Sequence, residues 1–149
     1  MRAVVQRVKK ASVSVSSEDI AEIHNGILIL LGVSESDTEK DIDYIVEKCV
    51  NLRVFDDAQG VMNLSVADIG GEVLLVSQFT LYGDVRKGRR PSYTEAARPD
   101  AAAGLFAQAA AAFRQKYPKL QTGKFQAEME VSLVNDGPVT ILLDSKKFF

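Results

Sequence analysis

The chain has 149 residues, of which 46% are hydrophobic and 26% charged, with a formal net charge of −2 and a pI near 5.4. These values fit one soluble globular domain over residues 1–149, and they exclude a disordered chain and a protein that coats nucleic acid through a bulk positive field. The longest apolar stretch, residues 27–31, is far short of the roughly 20 residues that cross a bilayer, and the N-terminal residues read as a strand, not a signal peptide; a cytoplasmic location with no membrane partner is expected.

Residues 2–8 and 12–15 have the apolar pattern of strands, and residues 20–23 and 26–33 read as a hairpin joined at Asn25-Gly26. His24, the only histidine, falls in that turn, and nothing local offers it a nucleophile to activate. Ser36-Asp37-Thr38-Glu39 has the form of a capping box, after which Ile42, Ile45, Val46, Cys49 and Val50 recur at helical spacing and predict a helix over residues 38–52. Cys49 is the only cysteine, so no intrachain disulfide or cysteine-built zinc site exists, and its place on the apolar face makes it a small core residue. Residues 53–71 are irregular, with a turn at 56–60 and short extended structure at 62–66, before Gly70-Gly71 leads into a strand at 72–76. Pro99-Asp100 opens a second helix with Leu105, Phe106, Ala109, Phe113 and Tyr117 on one side, and Pro118 ends it. Strands at 125–134 and 139–143 complete an α+β fold: a mainly antiparallel, barrel-like sheet with two covering helices.

Two segments stand apart from ordinary core filling. Ser77-Gln78-Phe79-Thr80-Leu81 sets a hydroxyl, an amide, a ring and a second hydroxyl where a buried strand runs out, which is where a rigid scaffold presents site residues. Asn135-Asp136-Gly137-Pro138-Val139-Thr140 puts glycine and proline between two β-like runs, where a continuous strand would lose a backbone donor. Between them, Arg86-Lys87-Gly88-Arg89-Arg90-Pro91 concentrates four positive charges. A charge run alone is usually a solvated loop; so close to the first segment, it becomes a candidate for phosphate contact.

The two motifs, in this order and over a chain of this length, resemble the D-aminoacyl-tRNA deacylases, and the resemblance runs over residues 1–144. Arg90-Pro91-Ser92-Tyr93 and Thr122-Gly123-x-Phe125 resemble family segments too, whereas Gln126 stands where relatives commonly have a small residue. The resemblance implies hydrolysis of the ester joining a D-amino acid to the 3′-terminal adenosine of tRNA, with achiral glycyl esters also accepted. It further implies a homodimer with active sites at the subunit boundary and a cis Gly137-Pro138 bond that reaches into the partner's pocket. Gly137 and Pro138 would then grip the α-amino group and block an L side chain, glycine letting the ligand approach without a Cβ in the way.

On the same reading Ser77, Gln78, Phe79 and Thr80 form the catalytic segment, and backbone amides around Gln78, Phe79 and Thr80 stabilise the oxyanion. Thr80 has no base in view to take its proton, so it is expected to position the substrate while the 2′-hydroxyl of the terminal ribose helps activate water. Phe79 is a candidate to face the terminal adenine, and Ser77 satisfies neighbouring backbone. Arg86, Lys87, Arg89 and Arg90 hold the rest of the tRNA through salt-sensitive contacts. No cofactor or metal is expected. Two alternatives stay open: a deacylase of similar fold acting on wrong L-amino acids, and an inert module that binds RNA or protein.

Overall fold

In the computed structural model, which describes residues 1–149, the organising element is β1 (Arg2–Val15), a single strand where two were expected. It turns at Ser16-Ser17 into β2 (Glu18–Ile23), and both serines have positive φ, 51° and 65°, the twist that a two-residue hairpin requires. β2 pairs with the far half of β1 and β3 (Gly26–Gly32) with its near half, so these two strands follow one another along one edge of β1 without pairing together. The hairpin expected at Asn25-Gly26 is therefore corrected to Ser16-Ser17. Gly26 serves a different need, since a Cβ there would sit 1.8 Å from the Glu72 carbonyl oxygen.

The chain continues through α1 (Glu39–Asn51), a small hairpin of β4 (Phe55–Asp56) and β5 (Met62–Leu64), and β6 (Glu72–Ser77). A 3-10 turn at Phe79–Tyr82, α2 (Pro99–Lys116), β7 (Leu120–Thr122) and β8 (Glu130–Asp144) complete it. The main sheet runs β2-β1-β3-β6-β7, with β8 along the other edge of β1. Its β3–β6 and β6–β7 pairs are parallel, so the expected mainly antiparallel sheet is a mixed one, curled into a nearly closed barrel. The reason is visible in burial. One face of β3 and β6 (Ile27, Ile29, Leu31, Val73, Leu75) packs under the two helices, and the other face (Leu28, Leu74, Val76) fills the barrel with Val8, Val13 and Ile23. Strands covered on both faces read as unbroken apolar runs, the habit of parallel strands.

The capping box of α1 sits two residues beyond its expected place: the Thr38 amide donates to Asp41 Oδ2 at 2.8 Å. Asp41 also accepts from Ser145 Oγ at 2.6 Å and pairs with Lys146 Nζ at 2.8 Å, which ties the chain after β8 to the start of α1. Burial pushes the Asp41 carboxyl up, but the hydrogen bonds from Lys146, Ser145 and Thr38 outweigh it and hold the group well below the usual carboxylate range. Cys49 is fully buried in the helix–sheet core, and that burial pushes its thiol up to about 12, so it is a packing residue.

Candidate active site

The strand β6 is held between two parallel neighbours, β7 as far as Leu75 and β3 as far as Ser77, after which the chain breaks into the Phe79–Tyr82 turn. The break opens beside a largely apolar cleft of about 680 Å³, floored by Leu31, Val33, Val76, Met129 and Val131. That volume lies within the usual range for a small-molecule pocket of roughly 300 to 1,000 Å³. Ser77, Gln78 and Phe79 line it, as do Tyr93, Arg98, Phe125 and Gln126.

Three of the four residues of this segment, Ser77, Gln78 and Phe79, thus line the cleft, though not in equal roles. The Gln78 amide donates to Leu31 O at 2.8 Å and is spoken for, which corrects the expectation that it serves as an oxyanion donor. The amides of Phe79 and Thr80 open the turn, where a helical turn leaves its first N–H groups without partners of its own. The Thr80 hydroxyl accepts a hydrogen bond from the Gln78 side-chain amide, and Thr80 itself does not line the cleft. No histidine or carboxylate bonds that hydroxyl. The Phe79 ring is 57% exposed and meets Tyr93 edge to face at 5.1 Å between centroids, making an aromatic wall at the rim.

The second motif lies elsewhere. Between the pairs Gln6↔Thr140 and Val8↔Asn135, residues 136–139 of β8 bulge out opposite Arg7 alone. The bulge is stapled from inside: Asn135 Nδ2 donates to Arg7 O at 2.9 Å and to Val139 O at 3.0 Å, and Arg7 Nε donates to Asp136 O at 3.2 Å. Arg7 Nη1 donates in turn to Val54 O at 2.6 Å, so a nearly buried guanidinium anchors the loop to the segment before β4. At its tip Gly137 has φ 120°, and a Cβ there would meet Val139 Cγ2 at 2.8 Å and Arg7 Nη2 at 3.1 Å. The Gly137-Pro138 bond is cis, and both residues are exposed or half-buried, with neither lining the cleft. Arg7, which anchors this loop, was not singled out from the sequence. Its signal was a charge in phase with the inward-facing Ala3 and Val5 of β1.

The basic loop is closed at its neck by the Asp84–Ser92 bridge. Arg86 is bound to Asp84 by two bonds of 2.9 and 2.8 Å; hydrogen bonding to Arg86 holds the Asp84 carboxyl well below its usual range. Lys87, Arg89 and Arg90 are exposed and free of carboxylate partners, so three of the four charges are available. No group of three or more His, Cys, Asp or Glu side chains is placed to hold a metal ion.

Residues 4–144 match the model of the D-Tyr-tRNA(Tyr) deacylase family. The chain belongs to that family. It is 59% identical to the D-aminoacyl-tRNA deacylase of Thermosipho africanus and 56% identical to that of Desulfitobacterium hafniense, over the full length of both chains in each case. Among solved structures it resembles the c-Myc DNA unwinding element binding protein, with a TM-score of 0.93, 45% identity and coverage of 97% and 98% of the two chains. A probable eukaryotic D-amino acid tRNA deacylase shares the fold alone, with a TM-score of 0.80 at 15% identity over 95% and 97% of the chains. In this deacylase family member, the Phe79 rim and the Gly137 loop are the two places where the conspicuous sequence motifs meet unusual backbone.

Proposed function

We propose that this chain hydrolyses the ester joining a D-amino acid to the 3′-terminal adenosine of tRNA, releasing free tRNA and the amino acid. The observation that carries this is an exposed aromatic and amide rim on an apolar cleft, in a chain 59% identical over its full length to a D-aminoacyl-tRNA deacylase. Water attacks the ester carbonyl, the bond to the ribose oxygen breaks, and the leaving oxygen takes a proton. The ester is already labile beside a vicinal hydroxyl, so orientation and oxyanion stabilisation suffice, with the 2′-hydroxyl helping to activate water. The amides of Phe79 and Thr80 are the oxyanion donors, each able to contribute about 3 to 4 kcal/mol. Gln78 holds Thr80, and Thr80 positions the substrate at the rim. Ser77 shapes the cleft where β6 ends.

Gly137 and Pro138 form the chirality filter and act on a partner's cleft. What supports this is a loop stapled from inside by Asn135 and Arg7, whose exposed tip does not line its own chain's cleft. A second copy is the natural complement. The outer edge of β8 has no strand partner, and the strand exposes Leu133, Val134 and Leu142, the last at 58%. A long apolar edge strand left bare invites association. The protein is therefore a homodimer whose sites lie at the subunit boundary. Lys87, Arg89 and Arg90 hold the tRNA body, with Arg86 contributing less because Asp84 neutralises it. Glycyl-tRNA is a substrate because it lacks the side chain that the filter rejects. The whole chain is one deacylase domain, and its substrate places it in the cytoplasm; no helix is long and apolar enough to cross a membrane.

Offering matched D-tyrosyl-tRNA and L-tyrosyl-tRNA to the purified protein tests the reading. Release of tyrosine from the D-ester alone is expected. Release from the L-ester at a comparable rate would favour an editing role toward L-amino acids and overturn the filter.

A further inference from the structure

Only two charged side chains line the cleft, Arg98 and Glu128. Arg98 differs from the arginines that hold the fold together. Arg2 pairs with Asp144, Arg7 with Asp56 and Asp136, and Arg86 with Asp84. Arg98 is exposed and makes no ion pair or side-chain hydrogen bond, although its backbone is held on both sides. Before it, the Ala97 amide donates to Val33 O at 2.9 Å; after it, the Ala102 amide donates to Arg98 O at 2.8 Å as α2 begins. Pro99 removes a further backbone freedom. A guanidinium on a fixed stem, unpaired at the rim of an apolar cleft, suits a bidentate anion better than a passing solvent ion.

The substrate proposed above presents such an anion. The terminal nucleoside carries its aminoacyl ester on one side of the ribose and a phosphodiester on the other. A cleft that takes the ester at the Gln78–Phe79 rim leaves the phosphate within one ribose of it. We infer that Arg98 is the cleft's phosphate contact, binding the phosphodiester that joins the terminal adenosine to the preceding nucleotide. The inference rests on the proposed deacylase reading and adds a contact distinct from the basic loop. The loop would hold the tRNA body, whereas Arg98 would read the phosphate next to the reacting ester and so set the register of the 3′ end.

The test uses the full chain with three D-tyrosyl substrates: the ester of tRNA, the ester of adenosine, and the ester of adenosine 5′-monophosphate. The wild-type protein is expected to show a KM about five- to tenfold lower for the 5′-phosphorylated nucleoside than for the unphosphorylated one, the size of one exposed charge-assisted hydrogen bond. Arg98→Gln should bring that ratio toward one through KM and not kcat, and Arg98→Lys, which keeps the charge but not the bidentate fork, should restore only part of it. On D-tyrosyl-tRNA, Arg98→Gln should lower the slope of log KM against log salt by about 0.7, the value of one released single-strand counterion. A thermal melt checks that the variants are folded. A phosphate preference that survives Arg98→Gln, or an unchanged salt slope, overturns the inference and leaves the deacylase reading intact. A wild-type protein inert toward all three substrates defeats the reading itself and the inference with it.

Discussion

The Phe79 rim and the Gly137 loop are both interruptions of β-structure, yet they are built in opposite ways. At the rim, backbone and side chains are left open: Phe79 is more than half exposed, and the amides of Phe79 and Thr80 begin a turn at a strand end. At the loop everything is tied down, with Asn135, Arg7 and Asp136 closing the bulge from beneath and Gly137 held at φ 120°. An open rim can accommodate a reacting group that changes shape during hydrolysis. A stapled loop cannot yield to a wrong enantiomer, which is the physical requirement of a filter. The two lie apart on one chain, as the proposed site assembled from two copies requires.

The largest effect expected from disturbing this contrast is at the stapled end. Gly137→Ala puts a side chain into a left-handed position and into contact with Val139 and Arg7, and should lower kcat/KM on D-tyrosyl-tRNA by about 100-fold or more, as misplaced positioning groups do. Circular dichroism should remain native; an active Gly137→Ala variant would remove the loop from the site. Gln78→Ala, at the open end, frees Thr80 and should cost about tenfold to 100-fold in kcat with KM little changed. Steady-state kinetics separate it from the charge reversal Arg89→Glu with Arg90→Glu, which should raise KM for tRNA about tenfold at low salt and less at high salt. If KM does not move, the basic loop is only a solvated surface.

The smallest effect concerns the scaffold. Asp41 has a depressed carboxyl in the folded state, so its contribution is fully present above the ordinary value near 4 and is lost as pH falls through the folded value. Stability measured by urea unfolding should therefore decline below about pH 4, and Asp41→Asn should flatten that decline while costing about 1 to 2 kcal/mol at neutral pH. Activity at neutral pH should be nearly unaffected, because the Asp41 network lies at the start of α1 and not on the cleft.

Much of the scaffold was legible because its signals are local. Apolar periodicity marked α1, Pro99 marked the start of α2, and the 77–81 and 135–140 motifs marked both halves of the proposed site. Pairing was less legible. Asn25-Gly26 carries the stronger turn signature, but its glycine answers a close approach to Glu72, while the real hairpin turn uses two serines in the left-handed region. The unbroken runs in β3 and β6 already hinted at strands covered on both faces, and parallel pairing follows from that long-range burial. The strand expected from residue 125 begins only at Glu130, because Gln126 takes a φ of 57° that interrupts it and leaves Phe125 and Gln126 on the cleft wall. In the same way β8 runs through Gly137 and Pro138 as one bulged strand where two were expected. The cleft itself joins segments distant in sequence, and no local pattern announces such a meeting.

Mixing two impaired variants tests most directly whether the proposed filter acts across subunits. Gly137→Ala chains keep an intact rim, and Gln78→Ala chains keep an intact loop. Unfolded together and refolded as an equal mixture, they should regain about one quarter of wild-type activity, because half of the dimers are mixed and each of those holds one complete site. If the mixture shows no more activity than the average of its parents while mixed dimers are present, each chain uses its own loop, and the two-copy site is contradicted.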